Sequence, residues 1–207
     1  MIDIIQSPTH SSNYGDGRGG PGENRGRSYL IMHGTGIRPG VSAAAEIKYL
    51  QKKGLGVSYH YYVTKTGEVH QFVPTDYRAW HAGSSAWQND KDMNDLSVGI
   101  ALESSNSFSE VYPGVQWDAA RELTEMMMRQ YSIPASGVLS HREISVPPGR
   151  KVDPVNFPMD SFRLAVVGPR RIPLYDERNV YLGEVSLVEG RKAYIPDEVL
   201  ASICTGG

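Results

Sequence analysis

Apolar and polar positions divide the 207-residue chain into stretches of different period. Residues 7–27 carry no periodicity and are polar and Gly-rich (Asn13-Tyr-Gly-Asp-Gly-Arg-Gly-Gly-Pro-Gly), which predicts an N-terminal loop segment over 1–27. Residues 28–33 form an apolar run expected to be a short buried strand, stopped by Gly34-Thr-Gly36. Ala43, Ile47 and Leu50 then fall at i, i+4 and i+7, the helical spacing. Ser42 is placed to cap the front of that helix, Lys52 and Lys53 suit its last turn, and Gly54 follows as a stop. The period next shortens to that of a hairpin, with 59–63 and 68–73 flanking the turn Thr64-Lys-Thr-Gly67.

Residues 76–94 read mostly as loop. In 97–103, Val98, Ile100 and Leu102 share one face of a strand while Gly99, Ala101 and Glu103 share the other. Residues 117–131 predict a helix with Trp117, Ala120, Leu123, Met127 and Tyr131 along one stripe. A short strand over 137–140 delivers His141, and a Pro/Gly-rich loop runs on to Phe157. After residue 168 the composition shifts: 172–175, 180–188 and 193–195 read as short strands, and Asp197 as the start of a terminal helical turn. The fold class expected is α/β, a central mixed β-sheet flanked by helices, with a small β-rich C-terminal extension. The corresponding units are 1–27, a loop segment, 28–166, the main domain, and 170–207, the extension.

Charge and composition narrow the function. Lys and Arg total 21 against 23 Asp and Glu, a formal charge of -2, which lacks the basic surface on which a dedicated nucleic-acid binder depends. The one cysteine, Cys204, rules out a disulfide scaffold. No apolar run is long enough to span a bilayer, and the start, Met1-Ile-Asp-Ile-Ile-Gln-Ser, lacks the features of a secretory signal. The expectation is a soluble chain made in a cytoplasm.

Candidate chemistry rests on the six histidines, His10, His33, His60, His70, His81 and His141. His33 and His141 end predicted strands, where side chains project from a sheet rim, and Asp153 follows on the loop after His141. Two imidazoles and one carboxylate make a three-ligand site for Zn²⁺ with a fourth position left for solvent, the composition of a catalytic centre. Spacing alone does not separate such a set from ordinary surface or core histidines.

The surrounding blocks do. Ile31-Met-His-Gly-Thr-Gly36, Val57-Ser-Tyr-His-Tyr-Tyr-Val63, Arg78-Ala-Trp-His-Ala-Gly83, Asn94-Asp-Leu-Ser-Val-Gly-Ile-Ala-Leu-Glu103, Ser140-His-Arg-Glu-Ile144 and Gly149-Arg-Lys-Val-Asp-Pro154 occur in that order. In these blocks the chain resembles the type-2 N-acetylmuramoyl-L-alanine amidases, which include phage lysozyme-type amidases, wall-recycling amidases and animal peptidoglycan recognition proteins. The resemblance covers residues 28–163.

That resemblance implies zinc held by His33, His141 and Asp153, with Lys151 stabilising the transition state and Tyr59 at a position some members fill with a catalytic tyrosine. It implies a hydrolase that cleaves the amide between N-acetylmuramic acid and L-alanine, acting on peptidoglycan or a muropeptide, with no nucleic acid and no membrane insertion. One departure stands out: several recycling-type members carry a catalytic Glu where this chain has Ala101. Glu103 shares its strand face but matches a different position and is read as bonding locally. Proton transfer is then left open among Tyr59, Asp153 and solvent at the metal.

His81 and Trp80 are candidates for substrate contact, against the alternative of packing in a structured loop. His60 is assigned to the core or to support of the site, and Arg142 to solvent. The extension and Ala101 favour a lytic enzyme, of the bacteriolytic endolysin kind, acting on the cell wall after release. The alternatives are a cytoplasmic amidase recycling anhydromuropeptides and a non-catalytic peptidoglycan-binding module.

Overall fold

Two unbroken apolar runs become the centre of the sheet. The computed structural model describes residues 2–17, 27–168, 170–175 and 181–187. In chain order its elements are β1 (Ile4–Gln6), β2 (Tyr14–Gly17), β3 (Tyr29–Gly34), α1 (Ala43–Leu50), β4 (Tyr61–Val63), β5 (Val69–Gln71), β6 (Tyr77–Ala79), β7 (Ala86–Trp87) and β8 (Asp90–Lys91). They continue with α2 (Met93–Leu96), β9 (Ser97–Leu102), α3 (Gly114–Tyr131), β10 (Val138–Ser140), α4 (His141–Ile144), α5 (Met159–Val167), β11 (Arg170–Tyr175) and β12 (Tyr181–Leu187).

Six strands form one mixed sheet in the order β1-β5-β4-β9-β3-β10. Only β4 and β5 pair antiparallel, as the predicted hairpin; the other four neighbour pairs are parallel. Covered on both faces, β3 and β9 are apolar throughout except where chemistry intervenes, the usual mark of a buried parallel sheet.

Alternation sorts the two faces. Leu30, Met32, Val98, Ile100 and Leu102 pack beneath Ala120, Leu123 and Met127 of α3 and Phe162 and Val166 of α5. Aromatic rings extend this layer: Trp117 meets Phe162 edge-on at 5.1 Å, and Phe157 lies 4.9 Å from Phe162. The opposite face is divided. Ala101 and Tyr62 pack with Leu50, Phe72 and Ala79, while Ile31 packs with Leu139, Met93 and Ile144. Polar side chains occupy the space between these two clusters.

The helices start and stop where their side chains dictate. Ser42 caps α1 by accepting a hydrogen bond from the Ala45 N–H, and Gly54 beyond it takes a left-handed φ of +72°. Ser140 and Glu143 form a reciprocal capping box that turns the chain from β10 straight into α4.

The N-terminal segment and α5 differ from expectation. The segment 1–27 is not all loop: β1 adds to the sheet edge in parallel with β5, and β2 pairs with β6. Strands of three and four residues are too short to show a period, so side-chain pattern does not reveal them. Likewise α5, nine residues long, occupies a stretch after Phe157 to which the sequence reading gives no element. In the extension, β11 and β12 pair antiparallel; the strand expected at 193–195, the turn at Asp197 and Cys204 lie outside the described residues.

Candidate metal centre

The parallel register of the sheet creates the site. Ser140 of β10 pairs with Met32 of β3, so the next residues, His141 and His33, emerge side by side at the carboxyl ends of adjacent parallel strands. Ligands bind at such ends in open α/β sheets because loops, rather than strands, follow there. The His33 and His141 ring centroids are 4.5 Å apart.

Asp153 is brought in by three ties. The Arg142 N–H donates to the Asp153 carbonyl at 3.0 Å, the Tyr112 hydroxyl donates to the Val155 carbonyl at 2.9 Å, and the Val155 N–H donates to Asn106 Oδ1 at 3.3 Å. Asn106 also donates through Nδ2 to the Gly34 carbonyl, joining the segment after His33 to the segment after Asp153. A Cβ on Gly34 would stand 2.0 Å from Asn106 Oδ1, so glycine there lets Asn106 come this close. In the sequence Asn106 is a polar loop residue with no further signal.

His33, His141 and Asp153 each offer one donor atom, all within 4.8 Å of one another. Asp153 Oδ2 lies 3.1 Å from His141 Nδ1 and 3.4 Å from His33 Nδ1. Tetrahedral bonds of about 2.0–2.1 Å place ligand atoms about 3.3 Å apart, which these two separations match. His33 Nδ1 is buried and has no hydrogen-bond partner among the described residues. A buried lone pair aimed at two other donors is what a cation would satisfy.

Hydrogen bonds on the far sides of the rings select the tautomers. His141 Nε2 sits 3.1 Å from the Ala82 carbonyl, which only accepts, so Nε2 carries the proton and the Nδ1 lone pair faces inward. His33 Nε2 is 3.0 Å from His81 Nδ1, and His81 Nε2 is 3.5 Å from Ser97 Oγ, which donates to the Met93 carbonyl. Read from Met93 outward, this chain of bonds puts the His33 proton on Nε2 and leaves Nδ1 bare. Such partners orient ligands and fix their protonation in metal sites.

His81 therefore backs His33, and its side chain is buried, 4% exposed. Its backbone N–H and that of Ala82 both donate to Asn94 Oδ1, which pins the loop. The ring is paired with His33, and His81 also lines the cavity over the cluster beside Trp80. Gly99 makes room for it, because a Cβ at that position would fall 2.5 Å from His81 Cγ. His60 is buried too; its Nδ1 accepts from the Gly99 N–H and its Nε2 donates to the Tyr77 carbonyl.

A cavity of about 400 Å³ opens over the cluster, lined by Thr35, Val57, Tyr59, Trp80, Lys151 and Asp153 among others. The Tyr59 ring lies 5.3 Å from that of His33. Glu103 does not join them, and accepts instead from the Lys65 N–H at 2.7 Å.

Electrostatics agree with the geometry. Burial lowers the His33 pKa to about 4 despite the raising influence of Asp153, so the ring is neutral at physiological pH. Burial pushes the Asp153 carboxyl up, but the contacts with His141 and His33 outweigh it and hold the group well below the usual carboxylate range. Burial also pushes the Tyr59 phenol up.

Known proteins share both sequence and fold. The profile of the N-acetylmuramoyl-L-alanine amidase family matches residues 23–156. The 1,6-anhydro-N-acetylmuramyl-L-alanine amidase AmpD of Citrobacter freundii is 36% identical over 141 residues, spanning 61% of this chain and 73% of AmpD. A crystal structure of an AmpD derivative superposes with a TM-score of 0.62 at 26% identity, over 79% of this chain and 97% of that one. The amidase AmiD of E. coli, in complex with anhydro-N-acetylmuramic acid-L-Ala-D-γ-Glu-L-Lys, shares the fold at a TM-score of 0.60 and 24% identity, over 79% and 74% of the two chains.

Proposed function

The chain belongs to the N-acetylmuramoyl-L-alanine amidase family, and from that premise we propose that it is a zinc hydrolase whose substrate is a soluble anhydromuropeptide. The bond cleaved is the amide between the muramic acid lactyl group and L-alanine. The observation that carries the zinc assignment is the convergence of two imidazoles, both with Nδ1 freed by their outer hydrogen bonds, on Asp153. His33, His141 and Asp153 hold the ion. When bound, zinc supplies an acidified water, with a pKa near 7, and polarises the scissile carbonyl.

The remaining roles fall to side chains that line the same cavity. Lys151 is exposed on its wall, and its positive charge is felt at His33. A cation there meets the negative charge that develops on the carbonyl oxygen, a contribution of about 3–4 kcal/mol for a well-placed donor. Tyr59, its phenol kept protonated by burial, donates a hydrogen bond rather than accepting a proton. Trp80 offers an aromatic surface to the sugar.

The substrate reading departs from the lytic setting expected from Ala101 and from the extension. The curated relatives from Citrobacter freundii and E. coli are amidases of 1,6-anhydro-N-acetylmuramyl-L-alanine, which favours the recycling alternative. Among the described residues no helix is long and apolar enough to cross a membrane.

The test measures release of the peptide from anhydro-N-acetylmuramyl tripeptide and from intact sacculi, alongside zinc content. One zinc per chain, activity abolished by chelation and restored by zinc, and faster turnover of the soluble substrate are expected. Preference for sacculi would overturn the substrate class and leave the amidase intact. In the same assay Lys151→Ala is expected to lower kcat by about 10²–10³-fold with zinc retained.

A further inference from the structure

Under the zinc hydrolase reading above, on which this inference rests, both ligand histidines have to hold a fixed orientation. One short stretch sets it for each: the His81 ring meets His33 Nε2, and the Ala82 carbonyl meets His141 Nε2. Residues 81 and 82 lie in irregular backbone between β6, which ends at Ala79, and β7, which begins at Ala86. Asn94 Oδ1 accepts from both of their N–H groups and so holds one side of the stretch. The Ala82 carbonyl, on which the His141 orientation depends, needs a hold of its own.

Arg150, one position before Lys151 and on the wall of the same cavity, supplies it. Its Nη2 donates to the Ala82 carbonyl at 3.0 Å and to the Ser84 carbonyl at 2.7 Å, and its Nε donates to the Val146 carbonyl at 3.0 Å. Gly83, between the first two, takes a left-handed φ of +58°, and the guanidinium lies against it: a Cβ there would stand 3.4 Å from Nη1 and Nη2. Three carbonyl dipoles that converge repel one another, and a planar cation with donors in fixed directions removes that repulsion. Backbone ties run alongside. The Val146 N–H donates to the Ser84 carbonyl at 3.0 Å, Ser85 bridges to Ser145, and the Arg150 N–H donates to the Pro147 carbonyl at 3.1 Å. These ties secure 84–85 and the turn before Arg150 but do not reach Ala82, whose carbonyl Arg150 shares with His141.

We propose that Arg150 is a positioning residue of the metal centre: its guanidinium fixes the Ala82 carbonyl, and through it the His141 ring, so that Nδ1 stays aimed at the ion. In this role Arg150 touches neither the ion nor the reacting atoms. It also joins the stretch that orients His33 and His141 to the segment that carries Lys151 and Asp153, so all three ligands are referred to one frame. Lysine would keep the charge but lose the planar fork that spans the three carbonyls.

Arg150→Ala and Arg150→Lys test this in the full chain. Zinc affinity, measured by competition with a chelator, is expected to fall about 10–100-fold in Arg150→Ala, with Arg150→Lys between it and wild type. The visible absorption bands of the cobalt-substituted protein should shift in Arg150→Ala, because they report the arrangement of the ligands, and added guanidinium ion should move them back toward wild type. The urea midpoint of the zinc-free protein should stay near wild type, since Arg150 is exposed. At saturating zinc, kcat on anhydro-N-acetylmuramyl tripeptide should drop about 10-fold with KM within about 2-fold. Wild-type zinc affinity and an unchanged cobalt spectrum in Arg150→Ala would overturn the proposal. So would a loss matched by an equal fall in zinc-free stability, which would make Arg150 a fold staple, or a raised KM with zinc affinity intact, which would make it a substrate contact. A wild-type chain that binds no zinc would remove the hydrolase reading and this proposal together. One that binds zinc but cleaves no muropeptide would remove the substrate reading alone, because the affinity and the cobalt spectrum do not depend on turnover.

Discussion

The two faces of one sheet are built from alternate residues of the same strands, yet they do different work. On the α3/α5 face, Leu30, Met32, Val98, Ile100 and Leu102 join one continuous apolar layer. On the other face, the intervening residues Ile31, His33, Gly99 and Ala101 lie among two small apolar clusters and a group of buried polar side chains: His33, His60, His81, Glu46, His141 and Asp153. Burying so many polar groups sacrifices hydrophobic stabilisation, and each has to be satisfied by a partner or by a ligand. The comparison shows stability concentrated on one side of a two-sided strand, which leaves the other free to hold an arrangement that packing alone would not select.

The largest effect should come from the polar face. His141→Ala removes one of the three proposed ligands and leaves Asp153 buried beside one imidazole, so stoichiometric zinc and amidase activity are expected to vanish together; metal analysis and the muropeptide assay check this. On the apolar face, Leu123→Ala should cost about 2–5 kcal/mol in urea unfolding, with kcat per folded molecule and zinc content unchanged. If Leu123→Ala altered kcat, or His141→Ala lowered stability as much as Leu123→Ala in zinc-free protein, the division between faces would fail.

A subtler substitution probes the boundary. Gly99→Ala adds one methyl group 2.5 Å from His81 Cγ and forces that ring away from His33. Displacing an outer partner of a metal ligand should weaken zinc by about 10–100-fold, measured by competition with a chelator. An unchanged affinity would mean that His81 does not orient His33.

The smallest effect is the pH dependence of the chelated protein. The pKa of His33 in the fold is about 4, below its ordinary 6.5, so the folded chain refuses a proton that the unfolded chain accepts. Its contribution to stability is therefore complete above about pH 6.5 and lost as pH falls from there toward 4. The urea midpoint should decline across that window, and a midpoint flat between pH 7 and 5 would contradict the burial of a neutral ring.

Sequence pattern was a good guide where elements are long or punctuated. The stripe Trp117–Ala120–Leu123–Met127 marks α3, the turn Thr64-Lys-Thr-Gly67 marks the β4/β5 hairpin, and Ser42 and Gly54 bracket α1. It failed for β1 and β2, whose three or four residues owe their strand conformation to partners about 60 residues away, Val69–Gln71 and Tyr77–Ala79. It was silent on Asn106, which draws together the segments after His33 and Asp153, and on Glu46, whose helical stripe reads as apolar without it.

The chain's order of residues determined which donors exist, two imidazoles and a carboxylate, and which positions alternate toward each side of the sheet. Only the tertiary structure decided which ring nitrogens of His33 and His141 are bare and that His81 pairs with His33. Those outcomes depend on hydrogen bonds between residues 48 and 59 positions apart and on the parallel register of β3 with β10. Local side-chain periodicity carries no information about contacts at that range, because they form only when separately folded strands come to lie side by side.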